Sequence, residues 1–241
     1  MSLGPMDALT PTLAARPAVA LDVEYPDSDG QPMSDNTTQF RWIVTIKEGL
    51  ESLFRDRADV FVAGDLLWYA VEGQPKIRTA PDAMVVIGRP KGERGSYMQW
   101  LEDGVAPQVV FEVHSPGNRM SDAVRRFRFY EHYGVEEYYH YDPDRGELTG
   151  WLRGDSGLEE IESIAGFTSP RLGVRFEPGD GPDSLKIYRP DGRPFLTYLE
   201  LESLWLAERQ RADQERQRAD QEQLRADRLA AKLREMGIEL D

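Results

Sequence analysis

Apolar positions change their spacing several times along the chain. Trp42, Ile43, Ile46, Leu50, Leu53 and Phe54 recur at helical intervals and predict a helix over Gln39–Arg55, capped by Thr37 or Thr38. Asp59–Ala63 and Leu66–Ala70 read as strands, and Gly64-Asp65 between them predicts a hairpin turn. Ala83–Ile87 and Gln108–His114 are short apolar runs, hence buried strands, and the second ends in a Ser115-Pro116-Gly117-Asn118 loop. Asp122–Tyr133 returns to helical spacing and stops at Gly134. Glu137–Tyr141 is a further strand, closed by Asp142-Pro143-Asp144, and short strands alternate with Gly/Pro turns from Glu147 to about Tyr188. Residues 1–37, rich in Ala, Pro, Asp and Ser, hold no period. They are expected to form a loosely ordered arm that settles onto the body near Val23–Tyr25.

The tail follows a different rule. RQRADQE occupies Arg209–Glu215 and again Arg216–Glu222, and a decayed copy follows. A seven-residue repeat of this kind predicts a long helix over Glu200–Met236. Glu208–Arg211 and Arg211–Glu215 are spaced to pair along it, each pair contributing only ~0.2–0.5 kcal/mol. The seam would be Ala212, Ala219, Ala226 and Leu233, with Leu229 and Met236 joining late. Alanine buries little area, so both a solvated helix and a homodimer through this seam fit. The division is an arm at 1–37, a domain at 38–200 and a charged heptad helix at 201–241.

Composition narrows the function. The chain has 241 residues, a net charge of −14, no cysteine and three histidines. It therefore lacks the means for disulfides, thiolate zinc sites or a cysteine nucleophile. Its acidity argues against histone-like binding of nucleic acid while leaving room for one local basic surface. No run is long and apolar enough for a membrane span, and no secretory pattern opens the chain, so a cytoplasmic protein is expected.

Candidate chemistry centres on two acids. Asp82 follows Pro81 at the mouth of the Ala83–Ile87 strand, and Glu112 lies inside VVFEVH. A carboxylate within an apolar strand needs a partner. Strand alternation puts Glu112 and His114 on one face, with Val109, Phe111 and Val113 on the other. Two acids on neighbouring strands can converge on Mg²⁺, which takes oxygen ligands. The competing explanation is structural: Glu112 paired with an arginine such as Arg126, and Asp82 capping a turn. Arg119–Arg128 holds four arginines against Asp122, and Arg89, Lys91 and Arg94 sit against Glu93. These two basic segments flank the acids and could hold a phosphate backbone. Arg126 shares a helix face with Asp122 and Tyr130. The cluster Tyr130, Tyr133, Tyr138, Tyr139 and Tyr141 is expected to be core and rim rather than a base-stacking platform.

The order P-D, about thirty residues, E-x-H and then a basic helix resembles the PD-(D/E)xK nuclease core. The wider sequence is more specific: VFVAGDLLWY, APDAMVVIGRPKGERGSY, QVVFEVHSPGNR and RRFRFYEHYGVEEYYHYDPD resemble the bacterial Uma family of putative restriction endonucleases. That resemblance runs from about Tyr25 to the C-terminus. It implies an α/β fold with a restriction-endonuclease-like core: a mixed, curved β-sheet flanked by helices, here with a long C-terminal helix added. It also implies Mg²⁺-dependent (or Mn²⁺-dependent) phosphodiester cleavage of nucleic acid, DNA foremost. Carried over by position, Asp82, Glu112 and the Val113 carbonyl would hold the metal. His114 takes the place of the superfamily's lysine, and the basic residue comes from the following helix, where relatives commonly carry Lys-Lys and this chain has Arg125-Arg126. Arginine stays protonated and can hold a phosphate but not act as a base. His114 could move a proton. The implied catalytic set is therefore Asp82, Glu112, His114 and Arg126, with Arg119, Arg125 and Arg128 as nucleic-acid contacts. A polar residue of the first helix, Gln39 or the more chemically suited Glu48, would complete the metal site. The alternative is a nuclease-fold module without catalysis that binds nucleic acid or protein.

Overall fold

The computed structural model describes residues 23–28, 30, 34, 36–117 and 119–236, so most of the expected arm at 1–37 lies outside the described residues. Where the arm meets the body, Tyr25 packs edge-on against Tyr69 and beside Trp100, and the Tyr69 hydroxyl donates to the Pro26 carbonyl.

Helix α1 spans Thr37–Leu53. Its cap is Asn36 rather than either threonine: the Asn36 side chain accepts from the Gln39 backbone N–H at 2.8 Å, while Thr37 is already helical. Trp42, Ile43, Ile46 and Leu50 are buried, as their spacing predicts. Gly49 interrupts a helix that would otherwise prefer alanine, and the reason is a close approach. A Cβ there would lie 2.3 Å from the Phe195 ring, which packs onto this turn.

The main sheet is mixed and six-stranded, formed by β1 (Val60–Ala63), β4 (Ala83–Ile87), β6 (Val109–Val113), β7 (Glu137–Asp142), β8 (Glu147–Gly154) and β9 (Gly157–Glu160) in the order β1-β4-β6-β7-β8-β9. Within this sheet only β6 and β7 run parallel, joined across one face by α2 (Met120–Tyr133). That helix ends at Gly134, whose φ of 95° is a left-handed cap. Three short strands, β2 (Trp68–Tyr69), β3 (Arg78–Thr79) and β5 (Tyr97–Met98), form a second sheet, and β10 (Arg175–Glu177) with β11 (Lys186–Tyr188) forms a third.

The expected hairpin across Gly64-Asp65 does not form. Val60–Ala63 pairs antiparallel with β4, and the chain turns at Asp65, at φ 48°, into β2 of the other sheet. All four β1 residues are buried, so the strand pairs with β4 inside the main sheet, and Trp68 instead packs against α2 through Phe129 and Tyr130.

Two cores lie on the two faces of the sheet. Val60, Val62, Val85, Phe111 and Tyr139 face α1 and the β10–β11 pair, whereas Phe61, Met84, Val86, Val110 and Tyr138 face α2 and the small sheet. Each large apolar side chain so buried contributes ~1.5–3 kcal/mol. The last helix, α3 (Tyr198–Glu235), opens with a capping box between Thr197 and Glu200 and carries no buried side chain. No helix among the described residues is long and apolar enough to cross a membrane.

Candidate active site

The site begins with register. Ala83 pairs with Phe111 in the antiparallel β4–β6 ladder, and one step further sets Asp82 beside Glu112 on the face toward α2. Both are buried, with 6% and 3% of their surface exposed. Asp82 Oδ2 accepts from the Val113 backbone N–H at 2.6 Å, and Gln39 Nε2 donates to the Val113 carbonyl at 3.0 Å. The first turn of α1 therefore closes the end of β6.

Helix α2 supplies the other side. Its residues 126 and 130 lie one turn apart and both reach Glu112. The Tyr130 hydroxyl donates to Oε1, and Arg126 Nη1 stands 3.0 Å from Oε2. That second contact has ion-pair distance without hydrogen-bond alignment, so Oε2 is a buried oxygen with no hydrogen bond.

Electrostatics follow from this crowding. Burial, and then the neighbouring Glu112 carboxylate, push Asp82 well above the usual carboxylate range. Burial also raises Glu112, while Arg126 and Tyr130 pull it back. Glu112 in turn holds Arg126 firmly protonated. Asp65, at the turn after β1, adds negative potential that raises both acids.

His140 is Glu112's partner in the parallel β6–β7 ladder, and the His114 and His140 rings lie 5.6 Å apart. Burial, then the charges of His114 and Arg126, lower His140 to about 4, so it is neutral near pH 7. The alternation of β7 gives His140 its face, but the pairing of β7 with β6, which sets it opposite Glu112, has no local signal in the sequence.

Asp82 lines a cleft of about 1390 Å³, with Glu112 beside it on the neighbouring strand and outside the lining. Its lining carries Lys76, Arg78, Arg125, Arg126, Arg128 and Arg153 among the acids Asp65, Asp82, Asp122, Glu131 and Asp155. Lys76, Arg78 and Arg153 were not anticipated. The first two come from the segment around β3, whose position over the site is set by the second sheet.

Three expectations require correction. Glu48 is exposed and pairs with Lys47 at 2.9 Å, so Gln39 is the α1 residue at the site. Arg89 and Arg94 are both consumed by Glu102, at 2.9 and 2.6 Å, and Lys91 by Glu51, so the second basic segment braces the fold instead of lining the cleft. Arg119 is exposed at the start of α2, apart from the lining residues, while Arg125 and Arg128 do line the cleft. The tyrosines divide into core and rim, with Tyr130, Tyr138, Tyr139 and Tyr141 buried and Tyr133 half-buried in the cleft lining.

The donor set is compatible with a hard divalent cation: two carboxylates and a main-chain carbonyl, all oxygen, one of them lacking a hydrogen bond. Among the described residues no three His, Asp or Glu side chains converge as a metal cluster, so the third ligand would be the Val113 carbonyl.

The fold is thus mixed α/β, with an acid pair and a basic helix at one end of a central sheet. The sequence model of the Uma2 family, described as "Putative restriction endonuclease", matches residues 22–178, and the chain belongs to that family. Among solved structures, the chain is similar to a putative nuclease belonging to DUF820 from Anabaena variabilis ATCC 29413. The two share 14% identity at a TM-score of 0.44, covering 57% of this chain and 75% of the other. No curated protein matches the chain.

Proposed function

We propose that the 38–200 unit is an endonuclease that hydrolyses DNA phosphodiester bonds with Mg²⁺, or Mn²⁺ in its place. The observation that carries this reading is the buried pair Asp82 and Glu112, with Asp82 lining a cation-bearing cleft and Glu112 Oε2 lacking a hydrogen bond. Asp82, Glu112 and the Val113 carbonyl would hold the ion. When bound, it supplies Lewis-acid polarisation of a phosphoryl oxygen and a lowered pKa for the attacking water.

The remaining roles belong to the chain's own groups. Tyr130 fixes one Glu112 oxygen, and Gln39 fixes the Val113 carbonyl, so both donors are oriented before substrate arrives. Arg126 offers further N–H groups toward the cleft and can hold a non-bridging phosphate oxygen. His114, beside the neutral His140, moves the proton. Arg125 and Arg128 track the flanking backbone.

One observation favours the second reading, a nuclease fold that binds without cutting. The permanently charged Arg126 already neutralises Glu112 at 3.0 Å, as a purely structural pair would. Cleavage of supercoiled, linear and single-stranded DNA with Mg²⁺ or Mn²⁺ separates the two. Activity lost in Asp82→Ala and reduced in Arg126→Lys supports a working arginine. Cleavage that appears only in Arg126→Lys marks a degenerate site, and DNA binding without cleavage by any variant supports the binding module.

A further inference from the structure

Helix α3 has 38 residues, about 57 Å at ~1.5 Å per residue, and no side chain of it is buried. Large apolar residues concentrate at its two ends, and Leu224, 58% exposed, stands between them on the opposite side from the a and d positions of the heptad repeat. Tyr198, Leu201 and Trp205 are 75%, 57% and 58% exposed near its start, and Leu229 and Met236 are 54% and 73% exposed near its end. With Leu233 these residues fall at positions a and d of one heptad register. Between them the a positions are Ala212, Ala219 and Ala226, and the d positions are Glu208, Glu215 and Glu222.

That order discriminates between ways of pairing two such helices. In a parallel, in-register pair each position meets its own copy. The three glutamates would then stack Glu on Glu inside the seam, a like-charge arrangement in every central d layer. In an antiparallel pair a positions meet d positions. Setting Glu215 opposite Ala219 brings Trp205 opposite Leu229, Leu201 opposite Leu233 and Tyr198 opposite Met236. Every bulky side chain at an a or d position then meets another, and each of the three central glutamates meets an alanine, which leaves it room. The residue before each of those alanines is an arginine, so Glu208, Glu215 and Glu222 lie beside Arg225, Arg218 and Arg211 of the other copy. The existing Glu208–Arg211 pair, at 3.6 Å and exposed on both sides, is weak enough to exchange. Tyr198–Glu235 holds eight basic and nine acidic residues, so two of these helices can approach without the repulsion that the whole chain's charge of −14 would otherwise impose.

We propose that α3 is a docking surface for a second copy of this chain, bound antiparallel in the register that sets Glu215 opposite Ala219. The inference is independent of the nuclease reading. Because the chain has no cysteine, single thiols report on it cleanly. Leu201→Cys and Leu233→Cys full-length proteins are prepared separately and also co-expressed, then treated with a short bis-maleimide. Antiparallel pairing predicts a cross-linked dimer from the co-expressed pair and little from either variant alone. At the same concentration the unmodified chain should sediment at twice its 27.4 kDa. Cross-linking of each variant to itself would show parallel pairing, and a single-chain mass with no cross-link would show a solvated helix. Either result overturns the proposal.

Discussion

Asp82 and Glu112 are kept apart from water and close to each other, and their protons report it. A carboxyl whose pKa is higher in the folded than in the unfolded chain binds its proton more tightly when folded. Its contribution to stability is complete below the ordinary value of 3.8 and is lost as pH rises through the folded value. The metal-free protein should therefore lose stability from Asp82 as pH climbs from 3.8 toward neutrality. Asp82→Asn keeps an acceptor for the Val113 N–H but removes the charge. It should raise metal-free stability at pH 7 by about 0.5–2 kcal/mol, the scale at which active-site groups trade stability for function. Urea unfolding of both proteins between about pH 4 and pH 7 should give stabilities that diverge as pH rises. Parallel curves would show that the pair carries no such penalty.

At the scale of elements, Gly49 offers a test in which two effects oppose. Alanine would gain ~1 kcal/mol of helix propensity, but its Cβ would stand 2.3 Å from the Phe195 ring. Overpacking of that kind costs ~1–3 kcal/mol, so Gly49→Ala should destabilise, and adding Phe195→Leu should recover part of the loss. An additive double mutant would contradict the packing account. The same element shows what a sequence can and cannot disclose. The buried stripe of α1 is legible because it repeats, and the two acids are legible because Asp82 opens one apolar strand and Glu112 interrupts another. The pairing of β1 is not, since Gly64-Asp65 has ordinary turn chemistry and nothing local reveals that β4, which begins only at Ala83, is the true neighbour. Glu48 looked more chemical than Gln39, yet helix phase puts Gln39 under the end of β6 and Glu48 in solvent. The cations of the Arg89 loop were visible, but their partner Glu102 was not, because it joins them only through the fold.

Over the whole molecule, a charge of −14 surrounds a cleft with six cationic side chains in its lining. DNA affinity, on the proposed reading, comes from that local set against an opposing background, and it must fall steeply with salt. Arg128 is exposed and lines the cleft, so Arg128→Ala should weaken DNA binding uniformly across sequences and flatten the log–log salt slope by about 1. Arg145, exposed at the β7–β8 turn and paired with its own acids, is the control whose loss should leave the slope unchanged. Equal effects of the two substitutions, measured by fluorescence anisotropy over a salt series, would place the binding surface elsewhere.

On the proposed reading, Asp82 and Glu112 together hold a divalent ion. Calorimetric titration of Mn²⁺ into the full chain, beside Asp82→Asn and Glu112→Gln, tests it without any need for substrate. One binding event is expected in the unaltered protein, accompanied by proton release from the acid pair, and it should be lost in both variants. Unchanged binding in either variant, or no binding in the unaltered protein, would contradict it.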